Sequence, residues 1–318
     1  MRILITGITG MAGSHLAEYL LTLNGDEIFG TCRWRSNKEN IQKIDESINL
    51  YECELKDPHA VTRMIKEIKP ERIYHFAAQS SVSSSWNSPQ DTIINNVTSQ
   101  LNLFEAVRLL GVEDTRILIS GSSEEYGLVY ENELPVNEEN QLRPMSPYGV
   151  SKVTQTAMAF QYYKNYGIHI VRTRCFNHTG PRRNEAFVTS NFAKQIVEIE
   201  RGKKKPVIHV GNLSAIRDFS DIRDIVKAYY IALEHGTPGE MYNIGSDISH
   251  SIKDVLNMLL ELSDVNIEIK EDQSRIRPLD VPKLRCDSTK FRNETGWKPE
   301  IDFKQTLSDL LDYWREKI

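Results

Sequence analysis

Arg2-Ile3-Leu4-Ile5-Thr6-Gly7-Ile8-Thr9-Gly10-Met11-Ala12-Gly13 is a short apolar run that ends in three glycines spaced three apart. A strand that passes through such a turn into the helical pattern of residues 14–23 is the opening βα unit of a dinucleotide-binding sheet. Glycine lets the backbone approach a pyrophosphate, and the helix start supplies free N–H groups and a partial positive charge. Gly7, Thr9, Gly10, Met11, Ala12 and Gly13 are therefore expected to form the cradle.

Outward from this unit, apolar strand patterns at 2–6, 27–31, 49–53, 72–76, 116–120 and 169–174 alternate with amphipathic stretches at 14–23, 60–69, 97–110 and 150–166. Strand–helix alternation with short connections predicts a Rossmann-type α/β fold, a doubly wound parallel sheet covered on both faces. After about Cys175 the pattern shortens, with helices expected at 189–201, 222–234, 252–262 and 303–315. We expect a dinucleotide-binding domain over 1–175, joined by a return segment at about 213–245. A smaller α/β substrate domain is expected from 176–212 and 246–318. The short serine cluster at 80–85 reads as low-complexity.

The bulk composition narrows the classes. At 318 residues, 40% hydrophobic and 26% charged, the chain has the balance of a soluble globular protein. Its net charge of −5 argues against nucleic acid or an anionic membrane as partner. No apolar run is long enough to span a bilayer. Cys32, Cys53, Cys175 and Cys286 are far apart and form no C-x-x-C pair, which suits reduced thiols in the cytoplasm and no metal site.

At the end of the second strand an NAD enzyme places an acid for the ribose 2′-hydroxyl. This chain has Arg33, Arg35 and Ser36 there instead, and guanidinium groups suit a 2′-phosphate, so NADP is expected over NAD. Tyr148 and Lys152 stand four apart on a predicted helix and so share a face. A nearby lysine cation lowers a tyrosine pKa, and the phenolate can then take a proton from a sugar hydroxyl. Ser122, in the loop after the fifth strand, can hydrogen-bond the same substrate oxygen. Glu124 is the carboxylate that proton removal beside a ketone requires, whereas simple alcohol oxidation needs none. Glu125 beside it is also acidic, and one of the two can be a plain solvated loop acid.

The G-x-x-G-x-x-G spacing, the Ser122–Gly127 run Ser-Ser-Glu-Glu-Tyr-Gly and the stretch 143–152 resemble the extended short-chain dehydrogenases that modify nucleotide sugars. So do Asn177-His178-Thr179-Gly180-Pro181-Arg182-Arg183, Phe187-Val188-Thr189, Arg217-Asp218-Phe219 and Arg277-Pro278. Within that family the chain resembles the GDP-mannose 4,6-dehydratases and the GDP-4-keto-6-deoxy-mannose reductases. Ser122–Gly127 and 177–189 look dehydratase-like, whereas residues 217–224 and the compact length look reductase-like.

The resemblance implies that Glu54 and Leu55 contact the adenine, and that Ala77 and Ala78 line the path of the cofactor ribose. It further implies that Gln79, Ser80, Ser122, Asn177, Arg183, Val188, Lys194, Arg217 and Arg277 hold a GDP-sugar. The activity implied is a dehydratase that retains NADP, with the 4-ketoreductase, an epimerase and an inactive NADP-binding sensor as alternatives. The helices at 97–110 and 150–166 resemble the family's four-helix interface, which implies a homodimer or homotetramer.

Overall fold

The structure is a computed structural model that describes residues 1–23, 25–112, 114–275 and 281–318. Its first half carries strands β1 (Arg2–Thr6), β2 (Glu27–Cys32), β3 (Asn49–Glu52), β4 (Arg72–His75), β5 (Arg116–Ser122) and β6 (Ile170–Cys175). Among these run helices α1 (Met11–Thr22), α2 (Pro58–Ile68), α3 (Val82–Asn87), α4 (Pro89–Leu109) and α5 (Pro147–Tyr166). The second half continues with β7 (Asn177–Thr179), α6 (Val188–Glu200), β8 (Val207–Val210), β9 (Ile216–Asp221), α7 (Ile222–His235) and β10 (Met241–Ile244). It ends with β11 (Ser249–Ser251), α8 (Ile252–Glu261), β12 (Glu268–Glu271), β13 (Lys283–Leu284), α9 (Thr289–Thr295) and α10 (Phe303–Lys317).

Among the described residues the large sheet has the order β10-β6-β5-β4-β1-β2-β3, and every pairing in it is parallel. Alternation along β1 feeds both faces. Ile3 and Ile5 pack with Leu16 of α1 and Ile225 of α7, while Leu4 packs with Met64, Phe104 and Ala159 of α2, α4 and α5. The strand order reverses between β1 and β4, where Thr6 lies opposite His75, so the ligand crevice opens past the carboxyl ends of these two strands.

The predicted helices at 60–69, 97–110 and 150–166 all begin too late. Each true start is an N-cap position followed by proline: Asp57-Pro58 and Ser146-Pro147, whose side chains accept helix N–H groups, and Ser88-Pro89, whose side chain makes no such bond. Proline at the first helical position fixes φ and forfeits only an N–H that has no partner there, so the helix begins before its apolar periodicity does. The serine cluster is likewise structured, with Ser81 capping α3 by accepting the Ser84 N–H at 3.2 Å.

The second half builds a smaller sheet around β9, which pairs antiparallel with β11 and parallel with β13 and β7. β8 and β12 form a separate parallel pair. α6, α8 and α10 enclose their own apolar cluster, with Phe192, Ile196, Leu256, Leu311 and Trp314 at its centre. α7 and β10 return to the large sheet. Asp224 of α7 holds the approach to α10, its Oδ2 accepting the Glu300 and Ile301 N–H groups, both at 2.9 Å. No helix among the described residues is long and apolar enough to cross a membrane.

Candidate active site

A cleft of ≈ 1570 Å³ opens at the reversal point between the two halves of the chain. Every residue expected above to bind or react lines it, except Arg277, which lies outside the described residues. At the cofactor end are Gly7, Thr9, Gly10, Met11, Ala12 and Gly13, with Glu54, Leu55, Ala77 and Ala78 beyond them. Among the described residues no side chain caps α1, and its first turn has no acid, so the helix start is chemically suited to an anion.

The three glycines are needed for different reasons. A Cβ on Gly13 would stand 2.5 Å from the Gly7 carbonyl oxygen, and one on Gly7 (φ +69°) would stand 3.0 Å from the Ala77 backbone. A Cβ on Gly10 would meet only the Gly7 oxygen, at 3.3 Å, among the described residues within 4 Å, and would otherwise fill the cradle itself. The cradle therefore fits a pyrophosphate approaching the backbone. Arg33 and Arg35 are exposed at the rim. Arg35 stacks 4.4 Å over the Trp34 ring centroid, and the Ser36 hydroxyl accepts the Arg33 N–H at 2.9 Å.

The reactive groups sit deeper. Ser146 caps α5 by accepting the Gly149 N–H at 3.0 Å, which sets Tyr148 and Lys152 on the face turned to the cleft. Both are buried, at 8% and 4% exposure. Lys152 Nζ donates to the Ser120 carbonyl at 2.7 Å, and burial lowers the ammonium to about 8, with Glu125 and Cys175 pulling it back up. The phenol of Tyr148 is pushed above its ordinary value, chiefly by burial. A hydrogen bond with Ser122 and the charge of Arg183 oppose this, while Glu124 and Glu125 add to it.

This differs from the expectation that the lysine lowers the tyrosine. The ammonium is spent on a strand carbonyl and lies 5.8 Å from the ring centroid, while the phenol is shut away from water. The two loop acids also differ from expectation, because neither is simply solvated. Glu124 is half-buried at the cleft wall, and Glu125 is fully buried against Arg174 Nε at 2.8 Å.

Farther along the cleft, Gln79 and Ser80 follow β4, Asn177 follows β6, and Val188 opens α6. Arg183 lies 3.4 Å over the Phe187 ring centroid, its Nε has no hydrogen-bond partner among the described residues, and burial lowers its guanidinium to about 10. Lys194 is ion-paired with Glu185, and Arg217, 7% exposed, donates to the Ile216 carbonyl at 2.9 Å.

The sequence reading missed several wall residues. Asn40 donates to the Thr9 carbonyl at 2.9 Å and braces the cradle. His178, within the 177–183 stretch, also lines the cleft, and burial lowers it to about 4. Tyr313, Trp314 and Lys317 reach the cleft from α10, whose periodicity signalled only a packed helix. Away from the cleft, Asp218, Asp247 and Cys286 bring ligand-type atoms within 4.8 Å of one another, and the Asp247 carboxylate is taken up by Ser288 and Arg292.

A parallel sheet in Rossmann order, a glycine turn opening α1 and a Tyr148/Lys152 pair on α5 beside the carboxyl end of β5 together define a short-chain dehydrogenase/reductase of the extended type. The family model for GDP-mannose 4,6 dehydratase matches residues 4–310, and the chain belongs to that family. The GDP-6-deoxy-D-mannose reductase of Pseudomonas aeruginosa is 30% identical over 317 residues, covering 100% of this chain and 98% of its own. A GDP-mannose 4,6-dehydratase of Vibrio cholerae serotype O1 is 32% identical over 348 residues, covering 97% and 92%. The structure of RMD from Pseudomonas aeruginosa complexed with NADPH superposes with a TM-score of 0.87 at 29% identity, covering 100% and 99%.

Proposed function

We propose that this chain is a GDP-mannose 4,6-dehydratase that retains NADP. The observation that carries the reading is the placing of Glu124 on the cleft wall beside Tyr148, while its neighbour Glu125 is consumed by a buried ion pair. Residues 7–13 would hold the pyrophosphate and Arg33 and Arg35 the 2′-phosphate; the nicotinamide, when bound, would supply a store for the hydride that leaves carbon 4 and comes back at carbon 6.

Tyr148 accepts the proton of the carbon 4 hydroxyl, whose oxygen Ser122 also holds, and Lys152 keeps a positive charge behind both. A ketone at carbon 4 acidifies the proton on carbon 5. Glu124 removes that proton and delivers it to the hydroxyl leaving carbon 6; with hydride re-entering at carbon 6 and the proton held by Tyr148 re-entering at carbon 5, the net change is loss of one water. Asn177, Arg183, Lys194, Arg217 and Arg277 hold the sugar nucleotide, with Arg183 the guanidinium most ready for the diphosphate. We assign the dinucleotide to 1–175 with the return segment at about 213–245, and the sugar nucleotide to 176–212 and 246–318. Four unpaired, buried cysteines support a cytoplasmic protein, and the exposed Leu101 and Phe160 on α4 and α5 support a homodimer or larger.

The second reading is the NADPH-consuming 4-ketoreductase. It is favoured by an alignment that spans 317 residues of this 318-residue chain, against one drawn out to 348 for the dehydratase. Incubation with GDP-mannose and trace NADP, without reductant, separates the two. A nucleotide sugar lighter by one water is the expected product, and Glu124→Gln abolishes it while NADP binding persists. Unchanged GDP-mannose, together with consumption of NADPH on the 4-keto-6-deoxy sugar, selects the reductase.

A further inference from the structure

The carboxylate of Glu125 joins the separate pieces of the site. Its Oε1 accepts the Ser122 N–H at 2.9 Å, and its Oε2 accepts the Thr156 hydroxyl and Arg174 Nε–H, both at 2.8 Å. Thr156 follows Tyr148 and Lys152 at four-residue steps on α5, so the three share one face. Arg174, on β6, also donates to the Tyr126 hydroxyl at 3.3 Å.

The backbone makes room for this carboxylate: a Cβ on Gly121 would stand 2.3 Å from Glu125 Oε1 and 2.4 Å from the Thr173 carbonyl. At the other end of the loop, a Cβ on Gly149 would stand 2.6 Å from the Glu124 carbonyl oxygen, so loop and helix are in direct contact. Arg174 compensates a charge that could not otherwise be buried so fully.

We propose that Glu125 is the positioning residue of this site: held by Arg174, it sets Ser122 and Glu124 in register with the helix face that carries Tyr148 and Lys152. The inference rests on the dehydratase reading for the roles of those four residues. It carries an electrostatic consequence as well, because Glu125 is the first charge opposing the burial that lowers Lys152 to about 8. The other groups facing Lys152 are Cys175 on β6, His75 on β4, Tyr148 on its own helix and, through Ser120, Tyr229 on α7. Burial lowers His75 to about 3, so its ring is neutral at pH 7 and adds no competing charge.

Two variants of the full chain test the proposal: Glu125→Gln, and the double variant Glu125→Leu/Arg174→Leu, which removes both buried charges together. Three quantities are read: kcat for water loss, the Kd for NADP, and the titration midpoint of Lys152 by NMR of protein labelled at lysine Cε. In Glu125→Gln we expect kcat to fall about 100-fold, the Kd to stay at the wild-type value, and the Lys152 midpoint to move to lower pH. An unchanged kcat or an unmoved midpoint overturns the proposal. If Glu125→Gln does not fold, kcat of the double variant decides in the same way. Loss of folded protein in both assigns the ion pair to stability alone and overturns the proposal too. A wild-type protein that converts no GDP-sugar refutes the dehydratase reading instead, and the Lys152 midpoint then decides for Glu125 by itself.

Discussion

Tyr148 and Lys152 are near neighbours in sequence, yet the fold treats them differently. The phenol is raised by burial and hydrogen-bonds Ser122, whereas the ammonium is tied to Ser120. Tyr148→Phe removes only the hydroxyl, so turnover is expected to fall by roughly 10²–10⁴ while the NADP Kd, measured by fluorescence titration, stays within twofold. Lys152 titrates at about 8 in the folded chain against an ordinary value of 10.5. Between those values the unfolded chain holds more protons, so the lysine makes stability rise with pH across that window and contributes no slope below it. Thermal melts of wild type and Lys152→Met between pH 7 and pH 11 test this: the rise in Tm across the window is expected to flatten in the variant. A wild-type Tm that does not depend on pH there contradicts the assignment.

At the scale of elements, the β1–α1 turn separates packing from binding. Gly13→Ala presses a methyl against the Gly7 backbone and is expected to destabilise the protein by about 1–3 kcal/mol in urea unfolding. Gly10→Ala meets, among the described residues, only the Gly7 oxygen within 4 Å, and its φ of −76° suits alanine, so its stability is expected to stay close to wild type while NADP binding weakens at least tenfold. If both variants lose binding and stability together, the turn is a packing device and no cradle. The same scale explains the misplaced helix starts. Periodicity reports the buried face of a helix, whereas its first turn is chosen by a cap and a proline that carry no apolar signal.

At the scale of the whole molecule, α4 and α5 lie side by side with Leu101 and Phe160 exposed, although a monomer gains nothing from leaving both in water. Light scattering is expected to give at least twice the 36.5 kDa chain mass, and the double variant Leu101→Asp/Phe160→Asp is expected to fall to one chain. A wild-type chain that is monomeric at micromolar concentration removes this reading. The two halves of the molecule also meet across the cleft through Lys317 and Glu39 and through Arg182 and Glu18. The Lys317–Glu39 pair is exposed and contributes about 0–1 kcal/mol, whereas the Arg182–Glu18 pair is partly buried.

The sequence by itself determined the doubly wound sheet, the glycine turn, the Tyr148/Lys152 pair and part of the lining of the cleft. These depend on local patterns: periods of two and 3.6 residues, fixed glycine spacings, and functional groups placed just after strands. Only the tertiary structure decided which of two adjacent glutamates faces the cleft, because that turns on Arg174, 49 residues from Glu125 in the chain. Only it placed α10 on the cleft wall and, within the return segment expected at about 213–245, set β10 beside β6 at the edge of the large sheet. Long-range partners leave no period in the sequence; they are set by how the buried faces close on one another.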